Sequence, residues 1–70
     1  MPAQIKITAN GRFFQRPAGE ALAEFLKSQG LAPGRVVVER NGMAMSPTEM
    51  VGATLENGDV LEIVRIVAGG

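Results

Sequence analysis

The chain has 70 residues, with seven Lys or Arg, seven Asp or Glu, and no Cys or His. This length allows one small domain, in which folding buries about 60% of the unfolded chain's surface. Zero net charge removes the electrostatic attraction behind non-specific binding to nucleic acids and anionic membranes, so neither is a predicted partner. The missing thiols and imidazoles exclude disulfides, thiolate nucleophiles, imidazole bases and most transition-metal sites.

Targeting signals are also missing from the sequence. No N-terminal stretch combines a basic start with an apolar run, and no segment approaches the roughly 20 apolar residues that a bilayer span needs. We therefore expect a soluble, cytoplasmic protein.

The first part of the chain is typical of a β-hairpin. Ile5, Ile7 and Ala9 alternate with polar residues, which is the pattern of a half-buried strand. Asn10-Gly11 is a preferred pair for a two-residue hairpin turn. The pattern predicts a hairpin over Gln4–Arg16.

One amphipathic helix follows this hairpin. Pro17 disfavours helical geometry at the residue before it, so the helix is predicted to run from Gly19 to Gln29. Gly30 stands where a helix C-terminus commonly needs a left-handed residue. The apolar residues at helical spacing are Ala21, Leu22, Phe25 and Leu26.

A second hairpin is predicted between Arg35 and Met45. The run Val36–Val38 is β-branched and suits a strand, and Asn41-Gly42 repeats the hairpin turn signal. Ser46-Pro47-Thr48-Glu49 then has the form of a capping box with proline at the first helical position, which predicts one short helical turn.

The final strand is predicted at Val60–Val67, after a turn at Glu56–Asp59. The element order is therefore ββαββ, with a helical turn before the last strand. Two hairpins and one helix bury their apolar faces when one mixed sheet packs across the helix, an α+β arrangement known as the β-grasp. Other two-layer α+β topologies fit the same order.

The two faces of the final strand have different predicted roles. Leu61 and Ile63 share a face and are expected to pack on Leu22, Phe25 and Leu26. Val64 and Ile66 are expected to point outward as an interaction surface beside the tail. The alternative is a curled sheet in which both are half buried.

The chain ends in Ala68-Gly69-Gly70, which folding alone does not explain, because glycine adds nothing to a core. Either this end is unstructured fray or its carboxylate is the functional group. Glycines let a backbone thread into an enclosed site, and we expect Ala68 to contribute to docking there. The carboxylate is ionised at neutral pH and is a poor acyl donor until it is activated.

Three motifs resemble the ThiS family, the sulfur carrier proteins of thiamine biosynthesis, which are ubiquitin-like β-grasp proteins. They are Val36–Gly42, Leu55–Asp59, and Leu61–Arg65 leading to the diglycine. The resemblance implies that an E1-like, ThiF-like adenylyltransferase uses ATP and Mg²⁺ to adenylate Gly70, next to Gly69. A sulfur donor such as a cysteine desulfurase persulfide then gives a thiocarboxylate, which a ThiG-like thiazole synthase consumes.

The same resemblance implies a carrier rather than an enzyme, without catalytic residues, metal or bound cofactor, and monomeric when free. The length predicts a single ThiS-like domain over 1–70, and we expect a flexible tail at 67–70 because chain ends are usually mobile. The chain departs from the family before the last turn, where many members have Pro-Arg and then Trp. Here Pro47, Thr48 and Met50 stand in that segment, so contacts made there are not transferred.

Other candidate residues are assigned to structure. Phe13 and Phe14 are expected to be one surface and one core aromatic rather than a platform for stacking bases. Glu39-Arg40 and Glu62-Arg65 are expected to be solvated or cross-strand charges. The remaining candidates, the methionines expected to fill core gaps, are Met43, Met45 and Met50.

Three further functions remain open. The small subunit of molybdopterin synthase shares the Gly-Gly end but often has Pro-Pro just before it, which Arg65-Ile66-Val67 lacks. A ubiquitin-like modifier would form an isopeptide bond through Gly70. A plain interaction domain would use its faces without any terminal chemistry.

Overall fold

The computed structural model describes residues 3–67. The elements are β1 (Gln4–Ala9), β2 (Arg12–Pro17), α1 (Leu22–Ser28), a 3₁₀ turn (Pro33–Arg35), β3 (Val36–Arg40), β4 (Met43–Ala44), α2 (Pro47–Gly52) and β5 (Val60–Arg65). The strands form one mixed sheet in the spatial order β2-β1-β5-β3-β4, in which β1 and β5 are parallel and the other neighbours are antiparallel. Helix α1 packs on one face of this sheet, which confirms the β-grasp prediction.

Both Asn-Gly pairs form the predicted hairpin turns. Asn10 and Gly11 have φ angles of 50° and 81°, and Asn41 and Gly42 have φ angles of 52° and 84°. A left-handed conformation at both central residues is the geometry of a type I′ turn, which matches the twist of the flanking strands. The two hairpins therefore follow from local sequence.

The core is one continuous cluster between the sheet and the helices. Phe25 lies fully buried within it, and the Phe14 ring meets the Phe25 ring edge-on at 5.2 Å. Phe13 is exposed, so the prediction of one core and one surface aromatic is confirmed. The buried apolar residues are Ile5, Ile7, Ala9, Leu22, Phe25, Leu26, Val36, Val38, Met50, Leu55 and Leu61.

The methionine prediction is wrong at one position. Met50 is buried and Met45 packs against the core, as expected of gap-filling side chains. Met43 is 74% exposed, because it lies on the two-residue edge strand β4, of which neither residue is buried.

Helix α1 begins at Leu22, so the predicted start at Gly19 is wrong. Gly19 has a φ of 82°, and Ala21 is extended and forms an isolated bridge with Thr54. These residues make a turn after β2 that amphipathic spacing alone does not reveal. The predicted left-handed residue at Gly30 is confirmed by its φ of 75°.

The capping box at α2 is confirmed. The Glu49 N–H donates to Ser46 Oγ at 3.1 Å, and the Ser46 N–H donates to Glu49 Oε1 at 2.7 Å. This backbone N–H and the Ser46 hydroxyl hold the pKa of Glu49 below its ordinary value. The helix continues to Gly52, so it is longer than the predicted single turn.

Candidate functional site

Strand β5 leads directly to the chain end that the sequence singles out. On one side, β1 pairs only with Val60 and Leu61, the first two residues of β5. On the other side, β3 pairs with β5 from Leu61 to Arg65. β5 is therefore a central strand where it begins and an edge strand where it ends, and it stops at Arg65 rather than at the predicted Val67.

The side chain of Asn10 extends the pairing of β5 on the β1 side. Its Oδ1 accepts from the Ile63 N–H at 2.7 Å, and its Nδ2 donates to the Ile63 carbonyl at 3.0 Å. Both main-chain groups of Ile63 are thus satisfied by one amide, as they would be by a neighbouring strand. Asn10 is the point at which the β1 side of β5 stops being paired.

Asn41 binds the start of β5 on the β3 side, through both its backbone and its side chain. The Asn41 N–H donates to the Val60 carbonyl at 2.8 Å, and Asn41 Oδ1 accepts from the Val60 N–H at 2.9 Å. Its Nδ2 donates to Asp59 Oδ1 at 3.1 Å. The second Asn-Gly turn therefore fixes the entry of β5 as well as reversing the chain.

Asp59 is a buried carboxylate at this entry. Its Oδ2 accepts from the Glu56 N–H at 2.9 Å and lies 2.8 Å from Arg40 Nη2. Burial by itself disfavours the charged form, but the hydrogen bonds from Glu56, Asn41 and Arg40 outweigh it, so the pKa of Asp59 is lowered from 3.8. Arg40 also donates to the Thr54 carbonyl at 2.9 Å, so it is a structural residue rather than only a solvated charge.

An apolar surface adjoins the end of β5. Val64 is 63% exposed and Ile66 is 52% exposed, which confirms that both point outward. Val37, 47% exposed, lies directly opposite Val64 on β3. We call Val37, Val64 and Ile66 the tail-proximal strip; its role in docking remains a prediction.

The inward residues of β5 follow the predicted alternation. Leu61 is fully buried in the cluster that contains Leu22, Phe25 and Leu26, and Ile63 packs against that cluster. Ala68, Gly69 and Gly70, the other predicted site residues, lie outside the described residues. Three residues span at most about 11 Å when extended, so any protein that reached Gly70 would also approach Val67.

Within residues 3–67 the structure shows no cluster of three His, Cys, Asp or Glu side chains placed to hold a metal ion. Over the same range, no helix is both long enough and apolar enough to cross a membrane.

The sheet order and the strand that leads to the diglycine define a ubiquitin-like β-grasp protein. A family profile described as "ThiS family" matches residues 2–70, and the chain belongs to the ThiS family. The crystal structure of the thiamine biosynthesis protein ThiS from Geobacter metallireducens matches with a TM-score of 0.76. The two are 25% identical, and the match covers 94% of this chain and 100% of that one.

Two other proteins are similar to this chain. A computationally designed protein based on human erythrocytic ubiquitin matches with a TM-score of 0.54 at 25% identity, covering 99% of this chain and 98% of that one. A thiazole synthase from Magnetococcus marinus (strain ATCC BAA-1437 / JCM 17883 / MC-1) is 35% identical over 66 residues, or 94% of this chain. The chain spans 20% of the length of that relative. The family profile and the ThiS structure therefore agree on the family and the fold of this chain.

Proposed function

We propose that this chain carries sulfur on its C-terminal glycine. The Gly70 carboxylate attacks the α-phosphate of ATP on an E1-like enzyme, giving an acyl-adenylate and pyrophosphate. A persulfide sulfur then attacks the acyl carbon and AMP leaves, and a thiol reduces the resulting acyl disulfide to release the thiocarboxylate. ATP and its Mg²⁺ belong to the activating enzyme.

The observation that carries this proposal is the change in the surroundings of β5 along its length. Its start is held by Asn41 and Asp59, whereas its end has a strand on one side only and an exposed apolar strip beside it. A carrier needs a fixed body from which a terminus projects towards another protein's site. Membership of the ThiS family supports placing the chemistry at that terminus.

A thiazole synthase is the proposed acceptor of the sulfur. The Magnetococcus marinus protein of that name contains a segment similar to this chain, which makes up about a fifth of it. A carrier segment within the synthase polypeptide would act at high effective concentration, which supports a direct partnership between the two. The thiocarboxylate supplies the nucleophilic sulfur for thiazole formation.

The family match favours this function over the small subunit of molybdopterin synthase. A ubiquitin-like modifier would use the same activation but transfer Gly70 to a lysine amine. Covalent conjugates of the chain would support the modifier, and activity that survives the loss of Gly70 would support the interaction domain.

The test is the intact mass of the protein after incubation with the host's E1-like enzyme, ATP, Mg²⁺, a persulfide donor and a thiol reductant. We expect a gain equal to the replacement of one oxygen by sulfur, located on Gly70. Deleting Gly70, or adding a glycine after it, should abolish the gain, whereas adding a residue before Met1 should not. An unchanged mass with an enzyme that is competent on another carrier would contradict the proposal.

A further inference from the structure

An apolar groove opens on the helix side of the tail-proximal strip. It has a volume of about 500 Å³ and lies between α1, α2 and the beginning of β3. Small-molecule pockets in proteins have volumes of about 300–1,000 Å³, so the groove has room for a large apolar group. Its walls include Ala23 on α1, Met45, Met50 and Val51 near and on α2, and Ile66 after β5.

The lining of this groove selects an apolar occupant. Lys27 is the one charged side chain among the described residues that line it, and its ammonium lies 3.3 Å from Glu24 Oε2. Val51 is 83% exposed on the groove's rim although the core is close by. Exposed apolar side chains grouped around a concave surface mark interaction sites more often than isolated ones do.

The position of the groove relative to the chain end identifies the partner. Ile66 forms part of the wall, and Gly70, the proposed sulfur-carrying residue, is four residues beyond it. An enzyme that holds Gly70 therefore covers the surface around Ile66, since four residues extend at most about 14 Å. Val37 lines the groove as well, so the tail-proximal strip and the groove form one continuous surface.

The activating enzyme depends on this surface for recognition more than the sulfur acceptor does. When the enzyme binds the protein, Gly70 still carries an unmodified carboxylate. This group is the same in any chain that ends in two glycines. The enzyme's selectivity must therefore come from the folded surface near the tail, whereas an acceptor also has the thiocarboxylate sulfur to recognise. We propose that the groove receives a large apolar side chain of the E1-like activating enzyme, an inference that rests on the proposed function.

The experiment compares two exposed apolar residues. Val51→Gln places a polar group on the groove rim, and Phe13→Gln makes a similar change on β2, away from the groove. Ala23→Leu fills the groove while keeping it apolar. Each full-length variant is loaded with sulfur by the activating enzyme, and its KM, kcat and melting temperature are measured.

We expect Val51→Gln and Ala23→Leu to raise the KM for loading about fivefold to thirtyfold, the range seen when a side chain central to an interface is altered. Their kcat should stay unchanged, because Gly70 is intact. Phe13→Gln should behave as wild type, and all three variants should melt as folded proteins.

Three results would overturn the proposal. One is an equal KM for Val51→Gln, Ala23→Leu and Phe13→Gln. Another is normal loading followed by a loss confined to sulfur transfer, which would assign the groove to the acceptor. The third is a wild-type dimer in sedimentation that Val51→Gln dissociates, which would assign it to a second copy. Failure of wild type to load at all would instead contradict the proposed function.

Discussion

The two ends of β5 have opposite environments. At its start, Val60 lies between β1 and β3, next to the buried Asp59, and is hydrogen-bonded to Asn41. After Ile63, no strand among residues 3–67 lies on the β1 side, and beyond the end of β5 the Ile66 N–H donates to the carbonyl of Arg35, just before β3, at 2.8 Å. The difference shows how a small domain can hold a strand firmly and still present its far end to another protein.

The largest stability effect is expected at the anchored end, from Asp59→Ala. This change leaves the Glu56 N–H, the Asn41 amide and Arg40 without their shared acceptor, so it should cost about 3 kcal/mol of unfolding free energy. Urea denaturation measures the loss. Glu56→Ala, which removes an exposed carboxylate 3.6 Å from Arg40, serves as the control and should cost under about 0.5 kcal/mol. Equal costs would show that Asp59 does not anchor β5.

Two matched substitutions on the outer face of β5 compare its exposed end with its anchored start. Val64→Asp should raise the KM for sulfur loading about tenfold with little change in melting temperature, because Val64 is exposed beside the tail. Val60→Asp places the same charge on an exposed residue of the same face at the start of β5, and should affect loading much less. An early-melting Val64→Asp variant would identify Val64 as a core residue instead.

The two Asn-Gly turns should respond unequally to the same substitution. Glycine adopts the left-handed geometry of each turn without strain, so Asn→Gly removes the side-chain hydrogen bonds and adds a similar backbone entropy cost at both turns. Asn41→Gly should cost about 1–2 kcal/mol because it also deprives buried Asp59 of a donor. Asn10→Gly should cost about 1 kcal/mol or less, since water can replace the amide at Ile63. Thermal unfolding of both variants tests the order, and a reversed order would refute it.

The smallest effect is the pH dependence that Asp59 adds. Because the folded-state pKa of Asp59 is lowered, the unfolded chain binds its proton at higher pH than the folded chain does. The stabilisation is therefore fully present above the unfolded value near 3.8 and is lost as the pH falls through the folded value. The unfolding free energy should therefore fall less steeply with decreasing pH in Asp59→Asn than in wild type, as urea denaturation at a series of acid pH values would measure. An unchanged pH dependence would show that other carboxylates govern acid unfolding.

Local sequence signals predicted the parts of the fold that depend on neighbours along the chain. The two type I′ turns, the capping box at Ser46 and the left-handed Gly30 each follow from a short motif. The start of α1 was misplaced, because the bridge from Ala21 to Thr54 joins segments distant in the sequence. The early end of β5 has the same origin, since its last pair joins Arg65 to Val36, the first residue of β3.

The candidate site was predicted only in part for the same reason. Strand alternation was enough to place Val64 and Ile66 on the outer face. The sequence does not predict the hydrogen bonds from the Asn10 and Asn41 side chains to β5. The Asn-Gly pairs are explained by the turns alone, and nothing further in the sequence indicates that these side chains contact a distant strand. The sequence likewise marks Asp59 only as a turn residue, although its side chain is buried against Arg40.

Hydrogen exchange along β5 tests the central claim that this strand is anchored at its start and presented at its end. In the free protein the Val60 and Ile63 amides should exchange slowly, and the Arg65 amide, on the side that β1 leaves open, should exchange quickly. Adding the activating enzyme should slow exchange at Arg65 and Val67 while leaving Val60 unchanged. Rapid exchange at Val60 in the free protein, or protection by the enzyme at Val60 rather than Arg65, would contradict the account.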